Sequence, residues 1–503
     1  MEGVQSPHVL PRNHAPQVEI ESEGILDPHI CWQAIYSRDS RFDGRFFAGA
    51  TSTGLYCRNV CAVPFARPEN THLFTYAAEA ESAGFRPCKR CRPQASPGTP
   101  AWLGTIAVVS RAVRMILEGA LNEKSVEDLA ERLGIGERQL RRLFAQHLGA
   151  SPLKIATSQR LQEARKLIEK SRLPMTQIAF RAGFKSIREF NHAVRASTGR
   201  APSELRHAAG ASQSTSSPTG LELHLPYRPP FEWTSLISFM RERAIPGVEL
   251  VSENSYQRTI EVFGVPGFLT VRNDEAKSRL IAYVQTTSLT GLAQTVERVR
   301  RIFDLNADSV QIGRHLSRDP RLRELLILRP GLRVPGTWDG FEASVLAILG
   351  QNLTTAGADG SITGLVQMFG TPVESPIRGL SHLFPQPKAF ALPDLSKVGI
   401  SDACANTLRK LASSIVQGNL NFATMKTLNL TVSRLRSACG VEESTANYIA
   451  MRAFGEPDAF PTRDPGLRLR LSQSNVSISP GQFLAIAEQW RPWRAYAAMH
   501  LTQ

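Results

Sequence analysis

The stretch CGVEESTANYIAMRAFGEPDAFPTRD, Cys439–Asp464, decides how the C-terminal half of the chain folds. It predicts a turn, then a helix over the apolar-periodic TANYIAMRAF, then a Gly/Pro break, and it ends on the lone acid Asp464. Glu442 and Glu443 stand where this helix begins, a position that favours acids electrostatically. The whole chain nevertheless carries a net charge of +14, so the purpose of these two acids depends on what the helix start contacts.

The composition points to a polyanionic partner. The 503 residues include 59 Lys and Arg against 45 Asp and Glu, an excess that favours nucleic acid, with a solvated basic surface as the alternative. No apolar run reaches the roughly 18 residues that a membrane span requires. Residues 1–25 are acidic and contain proline, so we expect a disordered segment rather than a signal peptide. These features together predict a soluble, cytoplasmic protein without a membrane partner.

Four of the seven cysteines form two short pairs. Three residues separate Cys57 from Cys61, and two separate Cys88 from Cys91. Two such pairs closed by a loop are typical of a tetrahedral zinc site, because each pair chelates the ion from one turn. A redox pair is the alternative, but it does not account for the first two cysteines. We therefore predict that these four side chains bind one Zn²⁺ that is structural and keeps the thiolates reactive.

An internal repeat follows the cysteines. SVEDLAERLGIGERQLRRLF begins at Ser125, and a weaker echo, PMTQIAFRAGFKSIREFNHAVR, begins at Pro174. Each copy predicts a short helix, a Gly-containing turn and a second helix. This double unit resembles the AraC-type DNA-binding domain, which implies that the second helix of each copy enters the major groove. The candidate groove residues there are Arg138, Arg141, Arg142, Arg188 and Asn191, and the further candidates for phosphate contacts are Lys154, Arg160 and Arg165.

The C-terminal half divides into a strand-rich and a helix-rich region. YQRTIEVFGVPGFLTVR and RLIAYVQTT predict strands of a small antiparallel sheet, whereas FEASVLAILGQN, ACANTLRKLASSIV and GQFLAIAEQWRPWRAYAAMHL predict helices. The expected fold class is multidomain, mainly α with α+β parts. The predicted boundaries are 1–25 disordered, 26–95 zinc domain, 100–207 double helix-turn-helix, 208–220 linker, 221–335 α+β sheet domain and 336–503 all-α domain.

The cysteine region closely resembles the methyl-acceptor domain of Ada-type adaptive-response proteins, through RFDGRFFAGATSTGLYCRNVC and ESAGFRPCKRCRP. The resemblance implies that Cys57 takes a methyl group from a DNA methylphosphotriester. Methylation would remove one negative charge beside the DNA phosphates and so raise DNA affinity. A purely structural zinc site is the alternative. We expect double-stranded and alkylated DNA as partners, RNA polymerase as a further partner, and a monomeric protein.

The C-terminal half resembles AlkA-type DNA-3-methyladenine glycosylases of the helix-hairpin-helix superfamily, through LPYRPPFEWTSLISFMRERAIPGVE, WDGFEASVLAILGQNLTTA, TANYIAMRAFGEPDAFPTRD and RPWRAYAAMH. The resemblance implies that an N-alkylated purine is flipped into an aromatic pocket. Asp464 takes the place of the catalytic carboxylate, although an aspartate before Pro465 also makes a good helix cap. Tyr448 takes the place of a pocket aromatic, Asn352 that of the residue entering the duplex, and Gly440 that of a hairpin glycine contacting DNA.

The hairpin departs from this family pattern at two positions, and the C-terminal segment at one. Glu442 replaces a glycine, and Ser444 and Thr502 replace tryptophans of the pocket. Each lost stacking contact costs about 1–3 kcal/mol. Two hypotheses follow, and we favour the first. In one, the C-terminal half is a working glycosylase for base excision repair that needs Asp464. In the other, the protein is a methylation-activated transcription regulator with a catalytically impaired glycosylase domain.

Overall fold

The structure, a computed structural model, describes residues 27–95, 104–171, 173–211, 219–352, 355–390, 395–422, 427–464, 467, 470 and 480–503. At a few of these positions, including 351–352, only the backbone is described. The segment predicted to be disordered, 1–25, and most of the predicted linker lie outside this part of the chain. We refer to residues 27–95 as the cysteine module, 104–211 as the helix-turn-helix module, 219–335 as the sheet module and 336–503 as the helical module.

The cysteine module is a four-stranded sheet flanked by two helices. The strands follow the order β3-β1-β2-β4, with β1 antiparallel to β2 and β3, and with β4 parallel to β2. Two small clusters, one around Phe42 and Phe46 and one around Phe47 and Tyr56, form its core. So small a core ordinarily needs a metal or other cross-link for stability. The elements are helices Pro28–Ser37 and Ala77–Ser82, strands β1 Phe47–Ala50, β2 Leu55–Arg58, β3 Thr71–Phe74 and β4 Arg86–Pro87, and 3₁₀ turns Ser40–Phe42 and Pro68–Asn70.

The helix-turn-helix module contains both predicted units. Ser125 accepts the N–H of Asp128 at 3.1 Å and Asp128 accepts the N–H of Ser125 at 2.7 Å, which confirms the capping box expected from the sequence. In the second unit Ser186 accepts the N–H of Glu189 at 3.1 Å. The helices are Thr105–Leu117, Ala120–Glu123, Val126–Arg132, Glu137–Leu148, Pro152–Lys170, Met175–Arg181, Ile187–Thr198 and Pro202–Ala211.

The sheet module is a five-stranded antiparallel sheet in the order β5-β9-β8-β7-β6. Strands β7 to β9 confirm the strands predicted from alternation. Strand β5 was not predicted, although Leu221, Leu223 and Leu225 alternate along it and are all buried. The elements are β5 Thr219–Pro226, β6 Glu249–Val251, β7 Tyr256–Val262, β8 Val265–Asp274 and β9 Arg279–Thr286, helices Trp233–Arg241, Leu292–Ile302, Ser309–Leu316 and Pro320–Leu328, and 3₁₀ turn Glu275–Lys277.

The helical module consists of helices and one short hairpin of two strands. The last predicted helix is divided in two at QWRPW, where Pro492 cannot donate to a helix. The elements are helices Gly340–Asn352, Thr355–Phe369, Asp402–Val416, Leu428–Cys439, Glu443–Phe454, Pro480–Glu488 and Arg494–Thr502, strands β10 Thr371–Pro372 and β11 His382–Leu383, and 3₁₀ turns Pro387–Phe390 and Leu395–Val398. No helix in the described ranges is long and apolar enough to cross a membrane.

The first helix-turn-helix unit and the sheet module share one hydrophobic core. The N–H of His224 donates to the carbonyl of Gly149 at 2.8 Å, which joins β5 to the end of a helix. Gly149 has a φ of +65°, and a Cβ there would lie 2.2 Å from the His224 carbonyl oxygen. This close approach requires glycine. The second unit has a separate core around Phe184 and Phe190.

Candidate metal centre, DNA interface and carboxylate loop

The four cysteines predicted to bind zinc converge, with all Sγ atoms within 4.8 Å of one another. Sulfurs bound tetrahedrally to zinc at about 2.3 Å would lie roughly 3.8 Å apart, so the cluster has the required size. Backbone hydrogen bonds set this arrangement. Cys61 donates to the carbonyl of Arg58 at 3.0 Å, and Cys88 donates to that of Tyr56 at 3.1 Å, which holds the second pair against β2.

Four thiols this close cannot all ionise without a cation. Hydrogen bonding with Cys61 and Cys91, together with burial, raises the pKa of Cys57, whereas hydrogen bonds from Cys57 and Cys91 lower the pKa of Cys61 to about 2. A bound dication would allow all four sulfurs to be thiolates, and an all-cysteine tetrahedral set is typical of zinc. The residues present therefore fit one Zn²⁺ ion.

The four sulfurs differ in exposure. Cys61 and Cys88 are buried, whereas Cys57 and Cys91 are partly exposed. The backbone N–H of Arg58 donates to the sulfur of Cys91 at 3.5 Å, and such a bond draws electron density from the sulfur. Of the two accessible sulfurs, we therefore expect Cys57 to be the better nucleophile. This geometry is compatible with the acceptor role predicted for Cys57, which stays a prediction.

The two helices predicted to enter DNA grooves, Glu137–Leu148 and Ile187–Thr198, present polar faces to solvent. The Nε atom of Arg141 donates to the carboxylate of Glu137 at 2.7 Å, so that pair would have to open before Arg141 could contact a base. The side chains predicted to contact DNA are all exposed: Arg138, Arg141, Arg142, Arg188 and Asn191. Their DNA contacts stay predictions.

The prediction that Arg160 contacts phosphate is wrong. Its side chain is 5% exposed and lies between the two helix-turn-helix units. The guanidinium donates to Asn122 at 3.2 Å, to Glu189 at 3.3 Å and to the carbonyl of Leu121. Because all three guanidinium nitrogens donate to protein groups from the two units, Arg160 joins these units. The other two phosphate candidates also face protein carboxylates: Arg165 with Glu169 at 2.9 Å and Lys154 with Glu222 at 3.7 Å.

Both acids of the hairpin turn face arginines. Glu442 accepts from the guanidinium of Arg463 at 2.6 Å, and Glu443 lies 3.5 Å from that of Arg436. All four side chains are more than half exposed, so each pair contributes only about 0–1 kcal/mol. Gly440 ends the preceding helix with a φ of +74° and is exposed, and its N–H donates to the carbonyl of Arg436 at 2.9 Å. Gly440 therefore shapes the turn, and its contact with DNA stays a prediction.

Asp464 ends the segment 455–464, the carboxylate loop, which follows the hairpin helix Glu443–Phe454. One carboxylate oxygen accepts the N–H of Leu467 at 3.1 Å, the spacing of a helix N-cap, so the capping role left open by the sequence is present. Its own N–H donates to the carbonyl of Pro461 at 3.1 Å. The side chain is partly exposed. A catalytic role for Asp464 stays a prediction.

Two side chains of the hairpin helix hold the loop that carries Asp464. The hydroxyl of Ser444 accepts the N–H of Arg463 at 3.0 Å. The amide oxygen of Asn447 accepts the N–H of Phe460 at 3.2 Å. Asp464 follows Arg463 directly, so these contacts with the hairpin helix set the position of its carboxylate.

Tyr448 is half-buried where the sheet and helical modules meet. Its hydroxyl accepts from Arg452 at 3.2 Å, and the Arg452 guanidinium lies 5.0 Å from the ring of Phe239 in the sheet module. Thr502 is exposed and donates to the carbonyl of Ala498 at 3.0 Å, so it provides no stacking surface. Asn352 ends its helix, and its side chain lies outside the described part of the structure.

A third anchor of the carboxylate loop was missed by the sequence reasoning. Asp458 is 6% exposed and pairs with Arg494 at 2.9 Å and with Arg491 at 2.6 Å. Burial raises the pKa of the Asp458 carboxyl, and the two arginines oppose that shift. The sequence contained a hint of this pair. Asp458 is an acid between the aromatic residues Phe454 and Phe460, and the basic RPWR segment that supplies Arg491 and Arg494 follows later in the chain.

Three protein families match successive parts of the chain. The metal binding domain of Ada matches residues 30–94, a helix-turn-helix domain matches residues 129–208, and the AlkA N-terminal domain matches residues 222–339. The order agrees with the modules of the structure and with the predicted recognition of both halves.

One curated relative resembles nearly the whole chain. The probable bifunctional transcriptional activator/DNA repair enzyme AlkA of Mycobacterium tuberculosis is 38% identical over 477 residues, which cover 94% of this chain and 95% of that protein. DNA-3-methyladenine glycosylase 2 of Escherichia coli is 30% identical over 278 residues, 55% of this chain and 95% of that protein. A solved structure, the 3-methyladenine DNA-glycosylase from Archaeoglobus fulgidus, is 20% identical and covers 56% of this chain and 96% of its own, with a TM-score of 0.49.

Proposed function

The chain belongs to the family of bifunctional transcriptional activator/DNA repair enzymes AlkA, and on that premise we propose that it senses DNA methylation through its cysteine module and excises N-alkylated purines through its C-terminal half. It is a DNA-binding enzyme of the alkylation response that combines a methyl acceptor with a DNA-3-methyladenine glycosylase. The observation that carries this function is the similarity of one bifunctional relative over 94% of the chain. A regulator with an impaired glycosylase is not favoured.

Methyl transfer is assigned to Cys57. A bound Zn²⁺ ion supplies a site in which the sulfurs stay deprotonated at neutral pH. The Cys57 thiolate attacks the methyl carbon of a methylphosphotriester, so that an S–C bond forms as the C–O bond breaks and the phosphodiester leaves with the negative charge. The module then carries one negative charge less beside DNA, which raises the affinity of the helix-turn-helix module for its site.

Base excision is assigned to Asp464. Its carboxylate stabilises the positive charge that develops on the sugar as the bond to the alkylated purine breaks, and water completes the hydrolysis. Tyr448 contacts the flipped base, Asn352 enters the duplex, and Gly440 contacts the DNA backbone. Alkylation at a ring nitrogen makes the purine cationic in DNA, so that it leaves as a neutral base when the bond to the sugar breaks. A pocket with Ser444 and Thr502 in place of two tryptophans can therefore still support excision.

The remaining partner assignments are also proposals. Double-stranded DNA is bound by both halves, and we assign RNA polymerase as the partner of the activated helix-turn-helix module. We assign a monomer. Because both substrates are DNA, we place the protein in the cytoplasm, with the chromosome.

The test is base release from alkylated duplex DNA by the purified protein. We expect time-dependent release of 3-methyladenine or 7-methylguanine that Asp464→Asn abolishes. The variant Cys57→Ala should take up no methyl group from methylphosphotriesters, whereas Asp464→Asn should take it up normally. Release that is no faster with the unmodified protein than with Asp464→Asn would show that the C-terminal half has no excision activity.

A further inference from the structure

Two arginines of the cysteine module insert into the C-terminal half. Arg41 donates to the hydroxyl of Tyr496 at 2.6 Å, and Tyr496 in turn bonds to the carboxylate of Asp304. Arg45 donates through both terminal nitrogens to Glu456, at 3.0 Å and 2.5 Å. The Arg45 and Glu456 side chains are 12% and 6% exposed. The contact is therefore a bidentate ion pair that is nearly removed from water, the strong form of such pairs.

Glu456 belongs to the loop that ends at Asp464. Within this loop the N–H of Phe460 is held by Asn447 and the N–H of Arg463 by Ser444. Both of those anchors lie on the hairpin helix, and a third, Asp458, pairs with Arg494 and Arg491 of the same module. Arg45 holds the beginning of the loop from a different module.

We infer that Arg45 is a positioning residue for base excision, so that the cysteine module helps to hold the catalytic carboxylate of the other half. This inference rests on the proposed role of Asp464. Without Arg45, Glu456 would be a buried carboxylate without its counter-charge, and it could regain water only by moving the loop. A displacement of the order of an ångström at Asp464 is enough to slow the reaction.

The position of Arg45 depends on the cysteine turns. Asp43 pairs with Arg58, whose Nε lies 2.7 Å from the Asp43 carboxylate. Arg58 also donates to the carbonyl of Cys91 at 3.2 Å. The segment that leads to Arg45 is therefore connected by hydrogen bonds to both cysteine pairs. The position of the carboxylate loop should accordingly depend on whether the cysteine module is folded.

The first test measures excision in the full-length, zinc-loaded protein. Arg45→Ala should lower the single-turnover rate of 3-methyladenine release about 10-fold, while DNA affinity, zinc content and methyl uptake stay unchanged. Glu456→Gln, which leaves the cysteine module unaltered, should lower the rate of base release to a similar extent. The double variant Arg45→Glu with Glu456→Arg should recover most of the rate. Arg67→Ala, which removes an exposed arginine of the same module, is the matched control. Release at the unmodified rate by Arg45→Ala and Glu456→Gln would overturn the inference.

The second test does not need excision activity. The amides of Phe460 and Asp464 should exchange hydrogen about 10-fold faster in Arg45→Ala than in Arg67→Ala. If the two amides exchanged at the same rate in Arg45→Ala and Arg67→Ala, the inference would be overturned, whatever the rate of base excision. If the unmodified protein released no base but exchange still depended on Arg45, the proposed excision function would fail and the docking of the loop would stand.

Discussion

The hydroxyl of Ser444 accepts the backbone N–H of Arg463 at 3.0 Å, directly before Asp464. Ser444 is 4% exposed and occupies the position at which the family resemblance implies a tryptophan of the base pocket. The serine therefore serves a different purpose, because it fastens the hairpin helix to the carboxylate loop. The carboxylate of Glu442 also connects the helix start to this loop, because it accepts a hydrogen bond from the Arg463 guanidinium at 2.6 Å.

Ser444→Ala is expected to slow base excision without weakening DNA binding. The N–H of Arg463 would lose its partner inside the protein, at a cost of about 1–3 kcal/mol to the local structure. Single-turnover release of 3-methyladenine measures the rate, and titration with undamaged duplex measures the affinity. Ser437→Ala, at an exposed serine of the neighbouring helix, is the control. Equal rates in the two variants would mean that this hydrogen bond does not position Asp464.

Glu442→Gly is expected to strengthen binding to undamaged duplex DNA. It removes a negative charge from the hairpin and frees Arg463 for a phosphate, so the slope of log affinity against log salt should steepen by about 1. Fluorescence anisotropy at several salt concentrations measures both quantities. Glu324→Gln, at an exposed acid in the sheet module, changes the net charge equally and should leave the slope unchanged. Weaker binding by Glu442→Gly would instead show that the Glu442–Arg463 pair holds the hairpin in its binding conformation.

The local features of the fold were largely predictable. Alternation identified β7 to β9, and helical periodicity identified the helices of the two helix-turn-helix units and Gly340–Asn352, Asp402–Val416 and Glu443–Phe454 in the C-terminal half. The capping box at Ser125 and Asp128 was found as expected. The cysteine spacing identified the metal cluster, because short chelating pairs leave a signature within a few residues. Strand β5 was missed even though its leucines alternate, since its partner β9 lies more than 50 residues further on.

The contacts between modules left no such signature. Arg45 and Glu456 are 411 residues apart, and Arg41 and Tyr496 are 455 apart. In a basic sequence, an arginine that joins two modules looks the same as one that contacts DNA. Arg160 was misassigned for this reason, because charge alone does not tell which side of a long helix faces the protein interior.

Arg160→Ala is expected to destabilise the helix-turn-helix module rather than to reduce its charge contacts with DNA. Asn122 and the carbonyl of Leu121 would lose a buried donor, at a cost of about 1–3 kcal/mol. Thermal denaturation should show this loss, while the salt dependence of DNA binding stays unchanged. Arg142→Ala should behave in the opposite way, with normal stability and weaker binding. A reduced salt slope in Arg160→Ala would restore it as a phosphate contact.

Acid is expected to loosen the junction between the cysteine module and the C-terminal half at His315. This side chain is 5% exposed and lies between the rings of His29 and Trp493, with centroid distances of 5.7 and 5.2 Å. Burial, with added repulsion from Arg318 and His29, lowers the pKa of His315 to about 4, against an ordinary value of 6.5. Between these values the unfolded chain binds more protons than the folded protein, so the free energy of unfolding falls as pH decreases from 6.5 towards 4.

The pKa shift of His315 corresponds to about 3 kcal/mol of unfolding free energy. The protein has this stability above pH 6.5 and loses it as the pH falls to 4. Urea denaturation at intervals from pH 7.5 to 4.5 measures this loss, and His315→Leu should flatten the acid limb because it leaves no ring to protonate. His500, whose pKa burial also lowers to about 4, lies where the helical module packs against the sheet module and provides the comparison. His500→Leu should flatten the limb without changing the docking of the cysteine module, which hydrogen exchange near His29 reports. An acid limb equally steep in His315→Leu and the unmodified protein would contradict the assignment of acid sensitivity to this junction.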